Sequence, residues 1–160
     1  MPAMQEILLL VGRLNYVWTN TESLFIYLIS HLMGTSKEAA IVVFLTLNTT
    51  RARLDLIERL AKLPGTDPAD RAQIEAFAKR LGREGKLRNK YNHCIYSFDE
   101  TGERAFTQLM RISDVSDDIR YGKIEVLDEA EMERINATIS AVTAVNRDIW
   151  GFLNAHGIKA

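Results

Sequence analysis

A chain of 160 residues with 47% hydrophobic and 26% charged residues has the composition of an ordinary folded domain with enough apolar surface for a real core. Its net charge of −1 excludes nucleic-acid binding by bulk positive charge, and its single cysteine, Cys94, excludes an intrachain disulfide and a cysteine-based zinc knuckle. The first residues show neither a basic leader nor a small-residue cleavage site, and the most apolar runs, Ile7 to Val11 and Ile41 to Leu47, fall far short of the roughly 20 residues of a membrane span. The expectation is one cytoplasmic domain over 1–160 with no membrane partner.

Helix signals dominate the chain. Leu10, Leu14, Val17, Trp18, Leu24, Phe25, Leu28 and Leu32 recur at helical spacing and predict a first helix from about Ala3 to Met33, ended by Gly34. Parts of it are apolar nearly all round, which a subunit interface explains. A second helix is expected from Thr35 or Ser36, where Thr35–Glu38 has capping-box form, to Leu63 before Pro64-Gly65. Asp67 caps a third helix with Pro68 at its first position, running to about Ile95. Gly82 and Gly85 weaken that helix by about 1 kcal/mol each and mark a kink or a close backbone approach.

From Ile95 the period changes. Ile95–Phe98, the turn Asp99-Glu-Thr-Gly102 and Ala105–Ile112 read as a β-hairpin, and Tyr121–Val126 as a third short strand. Asp128–Glu131 then opens a last helix through Ile135, Ile139, Val142, Val145, Ile149 and Trp150 to about Asn154. The expected fold is mainly α: a four-helix up-and-down bundle with a small β insertion, at about 95–126, between helices three and four. Trp18, Phe25, Phe44 and Trp150 are expected in its core.

Chemistry concentrates in Arg88-Asn89-Lys90-Tyr91-Asn92-His93. At 100° per residue, Arg88, Asn92, Asn89 and His93 fall at about 0, 40, 100 and 140°, while Leu87, Tyr91, Cys94 and Ile95 occupy the opposite side. An exposed polar stripe thus runs beside a core-facing one. Arginine clamps phosphate and histidine moves protons near neutral pH. The preceding stretch is basic, with Lys79, Arg80, Arg83, Lys86, Arg88 and Lys90 opposed by Glu84, a local charge density that attracts a polyanion or is simply a solvated helix face.

Arg88-Asn89-x-x-x-His93 resembles the Arg-polar-(x)-His signature of HEPN domains, the "higher eukaryotes and prokaryotes nucleotide-binding" group, whose fold is a helical bundle with the signature near the end of its third helix. The resemblance implies a metal-independent endoribonuclease acting as a homodimer on RNA, with no cofactor and an antitoxin-like protein as a further partner. Carried over by residue, His93 is the general acid/base, Arg88 holds the phosphate and Asn89 orients the phosphate or the imidazole, with Lys86, Lys90 and Asn92 as substrate contacts. The alternative is a non-catalytic helical dimerisation or ligand-binding module, in which Arg88 caps the helix or pairs with an acidic residue such as Glu22 and His93 meets the helix end.

Other candidates carry less. His31 and His156 sit near helix ends, where a histidine meets the dipole favourably. No pair of histidines or carboxylates has metal-ligand spacing along the chain, so no metal is expected. Asp114, Asp117 and Asp118 form an acidic loop without a calcium-binding pattern.

Overall fold

The computed structural model describes residues 3–160. Its elements in chain order are α1 (Ala3–Ser23), α2 (Phe25–Met33), α3 (Lys37–Thr46), α4 (Thr50–Ala61), α5 (Pro68–Asn92), β1 (Cys94–Phe98), β2 (Ala105–Leu109), β3 (Ile112–Val115), β4 (Asp118–Tyr121), β5 (Ile124–Val126) and α6 (Glu129–Ala155). The chain clusters into two compact units: Val17–Glu84 with Ser140–Ala160, and Gly85–Ile139 with the chain up to Tyr16. No described helix is long and apolar enough to cross a membrane.

The four-helix up-and-down bundle is incorrect: the described residues form six helices, and the strands follow the fifth rather than sitting between the third and fourth. Both surplus helices arise where a long expected helix breaks. At Leu24, the N–H donates to Thr21 O and the carbonyl accepts from Tyr27 N–H, each at 3.1 Å, three residues apart rather than four. The preceding polar run causes the tightening. Thr21 Oγ1 donates to Val17 O at 2.7 Å and Ser23 Oγ to Asn20 O at 2.8 Å, so side chains compete for helix carbonyls. In the second case, Leu47 leaves the helical region at ψ 104°, and Thr49 restarts the chain as an N-cap, its Oγ1 accepting from Ala52 N–H at 3.2 Å. The run Thr46-Leu47-Asn48-Thr49-Thr50 is a break signal stronger than the apolar periodicity around it. The capping residue of α3 is Ser36, which accepts from Ala39 N–H at 3.1 Å.

In Val17–Glu84 with Ser140–Ala160, Trp18, Phe25, Leu28, Ile29, Ile57, Ile74, Leu81, Ile149 and Leu153 are fully buried. Trp150, expected in the core, is exposed. One buried charge organises this core. Glu22, 5% exposed, accepts from Trp18 Nε1 at 2.8 Å, Thr50 Oγ1 at 2.9 Å and Arg53 Nη1 at 3.1 Å. Arg53 Nε donates to the carbonyls of Phe44 at 3.0 Å and Leu47 at 2.7 Å, satisfying the C-terminal end of α3 exactly where that helix stops short. Gly82 packs on the Leu54 side chain, a Cβ there meeting Cδ1 at 3.4 Å, and α5 runs unbroken through it.

In Gly85–Ile139 with the chain up to Tyr16, Ile7, Leu10, Leu14, Tyr91, Cys94, Ala105, Leu127, Ile135 and Ile139 are buried. The strands form an antiparallel three-stranded sheet in the order β1-β2-β5 and a separate β3-β4 hairpin. Cys94 pairs with Leu109 and Phe98 with Ala105 across β1-β2, joined by the expected Asp99–Gly102 turn, where Gly102 takes a left-handed φ of 74° and Asp99 Oδ1 accepts from Glu103 and Arg104 N–H. The expected strands Ala105–Ile112 and Tyr121–Val126 are each divided. Arg111 N–H turns back to Leu109 O and Gly122 N–H donates to Arg111 O, both at 2.9 Å, so the β3-β4 hairpin leaves the sheet at this crossing. Gly122 is required there, because a Cβ would overlap the Leu109 carbonyl.

Candidate functional site

The polar cluster lies where α5 ends and β1 begins. Arg88, Asn89 and Asn92 belong to the last turns of α5, and His93 is the single residue between the helix and the strand. The His93 N–H donates to Asn89 O at 3.1 Å and Lys90 O at 3.3 Å, closing the helix, while its own carbonyl accepts from Met110 N–H at 2.9 Å. The main chain at His93 is therefore pinned on both sides and the exposed imidazole projects from a fixed point.

Two amides orient the Arg88 guanidinium. Nη1 donates to Asn89 Oδ1 at 3.1 Å, and the Asn92 amide, turned to satisfy its surroundings, accepts from Nη2 at 3.1 Å and Nε at 3.0 Å. Both amides present an oxygen to the fork and fix its orientation. Glu22, the acidic partner suggested for Arg88 by its chemistry alone, is bound to Arg53. The C-terminal end of a helix repels anions, so any phosphate held here depends on side-chain charge rather than on the backbone.

Lys90 has a different situation from its neighbours. Its Nζ donates to Glu125 Oε2 at 2.7 Å and Glu131 Oε2 at 3.2 Å, and Tyr91 donates its hydroxyl to the same Glu131 oxygen at 2.6 Å. Burial alone would lower the Lys90 pKa, but the two carboxylates outweigh it and raise it. Glu125 is held below the usual carboxylate range by Lys90. For Glu131, desolvation acts upward, and the hydrogen bonds from Tyr91 and Lys90 overcome it and bring the pKa down. Burial and the Glu131 contact push Tyr91 far above its normal range, so it stays a neutral donor. This network ties the end of α5 to β5 and the first turn of α6. It also explains why the Asp128–Glu131 box is used one way only: Asp128 Oδ1 accepts from Glu131 N–H at 3.0 Å, while the Glu131 carboxylate is turned to Tyr91, Lys90 and Arg134.

The basic run is partly neutralised within each unit, Arg80 by Asp148 at 2.7 Å and Lys90 as above. Lys86, Asn89, Asn92 and His93 are exposed, and Arg88 is half-buried. Beside the His93–Met110 contact lies a 340 Å³ groove lined by Ile95, Leu109, Met110, Arg111, Ile112 and Tyr121. Burial raises the Cys94 thiol, which keeps it protonated and chemically quiet.

A second cluster was invisible in chain order. His31 at the end of α2, Asp70 in the first turn of α5 and His156 just past α6 bring three metal-compatible donors within 4.8 Å of one another. His156 Nδ1 lies 2.8 Å from Phe152 O and its Nε2 2.8 Å from Asp70 Oδ1, and the Phe152 carbonyl together with Asp70 raises the imidazole pKa. The residues are 39 and 86 apart in sequence, so no spacing motif could have joined them. Their shared position at helix ends was the one available signal. Comparison with family models, with curated proteins and with solved structures gives no match for this chain, so its chemistry is read from these residues alone.

Proposed function

We propose that the chain is a HEPN-like, metal-independent endoribonuclease that acts as a dimer, with His93 as general acid/base and Arg88 holding the scissile phosphate. The observation that carries this reading is the preorganised arginine: a guanidinium clasped by Asn89 and Asn92, five residues before an exposed imidazole on a pinned main chain. In the reaction, an RNA 2′-hydroxyl loses its proton to one imidazole and attacks the adjacent phosphorus. The 5′-oxygen leaves with a proton from a second acid, and a 2′,3′-cyclic phosphate remains. Arg88 stabilises the charge growing on the non-bridging oxygens. The nucleophile belongs to the substrate, so no metal is required. Lys86 and Asn92 line the exposed approach, whereas Lys90 would have to give up two carboxylates to reach substrate and serves here to anchor the helix end.

A second imidazole implies a second copy. The same unit leaves Leu8, Leu9 and Tyr16 of α1 exposed, and every residue of the β3-β4 hairpin is exposed, including Ile112, Ile119 and Tyr121. An isolated two-stranded hairpin is marginal in water, and a partner surface would stabilise it. These apolar residues equally favour the alternative of a non-catalytic dimerisation or interaction module.

The decisive experiment incubates purified protein with RNA in EDTA and identifies the products. Wild type should leave 2′,3′-cyclic phosphate ends and sediment as a dimer, and Arg88→Ala and His93→Ala should lose cutting by at least 100-fold with unchanged melting. Equal cutting by all three proteins, or none by a dimeric wild type, removes the nuclease reading; the second outcome leaves the interaction module.

A further inference from the structure

Three helix ends in the unit Val17–Glu84 with Ser140–Ala160 converge on one donor set. His31 Nε2 lies 3.9 Å from Asp70 Oδ2, and His156 Nε2 lies 2.8 Å from Asp70 Oδ1. The Phe152 ring supports both imidazoles, stacking on His156 at 4.0 Å and meeting His31 edge-on at 6.0 Å. The rings are thus held in orientation by a buried phenyl group, as ligating histidines need to be.

The hydrogen-bond pattern calls for a cation. A carbonyl oxygen only accepts, so His156 Nδ1, facing Phe152 O at 2.8 Å, carries the hydrogen. In the neutral ring this turns the Nε2 lone pair toward a carboxylate oxygen 2.8 Å away, and two electron-rich atoms at that distance repel unless a cation lies between them. A proton or a metal ion can fill that role. The second imidazole favours the metal, because a proton needs only the two atoms. Tetrahedral ligands with bonds of about 2.0–2.1 Å stand roughly 3.3 Å apart. The distances of 2.8 and 3.9 Å fall on either side of that value, and the exposed His31 ring can close the longer one by side-chain rotation.

We propose that His31, Asp70 and His156 form a three-ligand site for a divalent transition metal of the zinc type, with its remaining position open to the adjoining cleft. That cleft measures 450 Å³ and is lined by His31, Asp70, Leu63, Thr66 and Asp67. Two imidazoles and one carboxylate suit zinc and its neighbours, whereas calcium and magnesium take oxygen ligands. The open position admits water or a small anion. The bound ion would clip the end of α2 to the start of α5 and the end of α6. This site is independent of the Arg88–His93 reading, whose chemistry uses no metal.

The test titrates untagged, chelator-treated protein with Zn²⁺ by calorimetry and with Co²⁺ by visible absorption. Wild type should take up one ion per chain, show the intense absorption of a four-coordinate Co²⁺ centre, and melt at a higher temperature with Zn²⁺ than without. His31→Ala, whose side chain is exposed and whose loss should leave the fold intact, should bind at least tenfold more weakly. His156→Ala should lose the ion-dependent rise in melting temperature. No uptake by wild type at micromolar Zn²⁺, or unchanged affinity and stoichiometry in His31→Ala, overturns the proposal.

Discussion

Replacing Arg53 by alanine tests the physical account of the helical core most directly. Glu22 is 5% exposed, and its oxygens are satisfied by Trp18, Thr50 and Arg53. Arg53→Ala removes the countercharge and leaves a buried carboxylate, a change that costs about 3–5 kcal/mol. The same substitution takes two hydrogen bonds from the carbonyls of Phe44 and Leu47 and the guanidinium from above the Phe44 ring, 3.9 Å from its centroid. These losses form part of that cost rather than additions to it, and water entering the vacated space recovers much of the backbone share. The expected total is about 4 kcal/mol, out of the roughly 5–15 kcal/mol that stabilises a typical domain. For a chain of this size that lowers the melting temperature by roughly 8–16 °C. Urea denaturation followed by tryptophan fluorescence reads the loss, with Trp18 bonded directly to the affected carboxylate. The double variant Glu22→Gln with Arg53→Met should be more stable than Arg53→Ala alone, because no unpaired charge stays buried. A loss below 1 kcal/mol for Arg53→Ala, or a double variant whose cost is the sum of the single ones, would refute the reasoning.

The Lys90 network sets a pH dependence with two limbs. Glu125 and Glu131 have lowered pKa values in the fold, so their contribution is full above the unfolded value of about 4.3 and disappears as pH falls through the folded values. The Lys90 pKa is raised, so its contribution is full below about 10.4 and disappears as pH rises through the folded value. Glu131→Gln should flatten the acid limb in melting curves recorded across pH; an unchanged slope would show that the network contributes no linkage. Gly122→Ala should destabilise the junction between the sheet and the β3-β4 hairpin by about 1–3 kcal/mol, since the new methyl overlaps the Leu109 carbonyl, whose carbon would lie 2.7 Å away. Amide exchange of the hairpin measures this, and unaltered protection would show that the approach relaxes at no cost.

What the chain settled by itself is local. Asp67 accepts from Ala69 N–H at 2.8 Å and Asp128 from Glu131 N–H, so both caps stand where their side-chain chemistry puts them. The Asp99–Gly102 turn and the place of Arg88-Asn89-x-x-x-His93 at a helix end follow for the same reason: each depends on groups within a few residues. Tertiary structure decided everything that depends on distant groups. The Thr21 and Thr49 hydroxyls bond nearby main-chain groups where two expected helices become four, yet it is Arg53, paired with Glu22 31 residues away, that holds the Phe44 and Leu47 carbonyls at the second break. Lys90, a substrate contact by the resemblance, is bound in the fold to Glu125 of β5 and Glu131 of α6. The His31–Asp70–His156 cluster exists because three helix ends meet, and periodicity, which records only which face of an element is buried, carries no information about which ends converge.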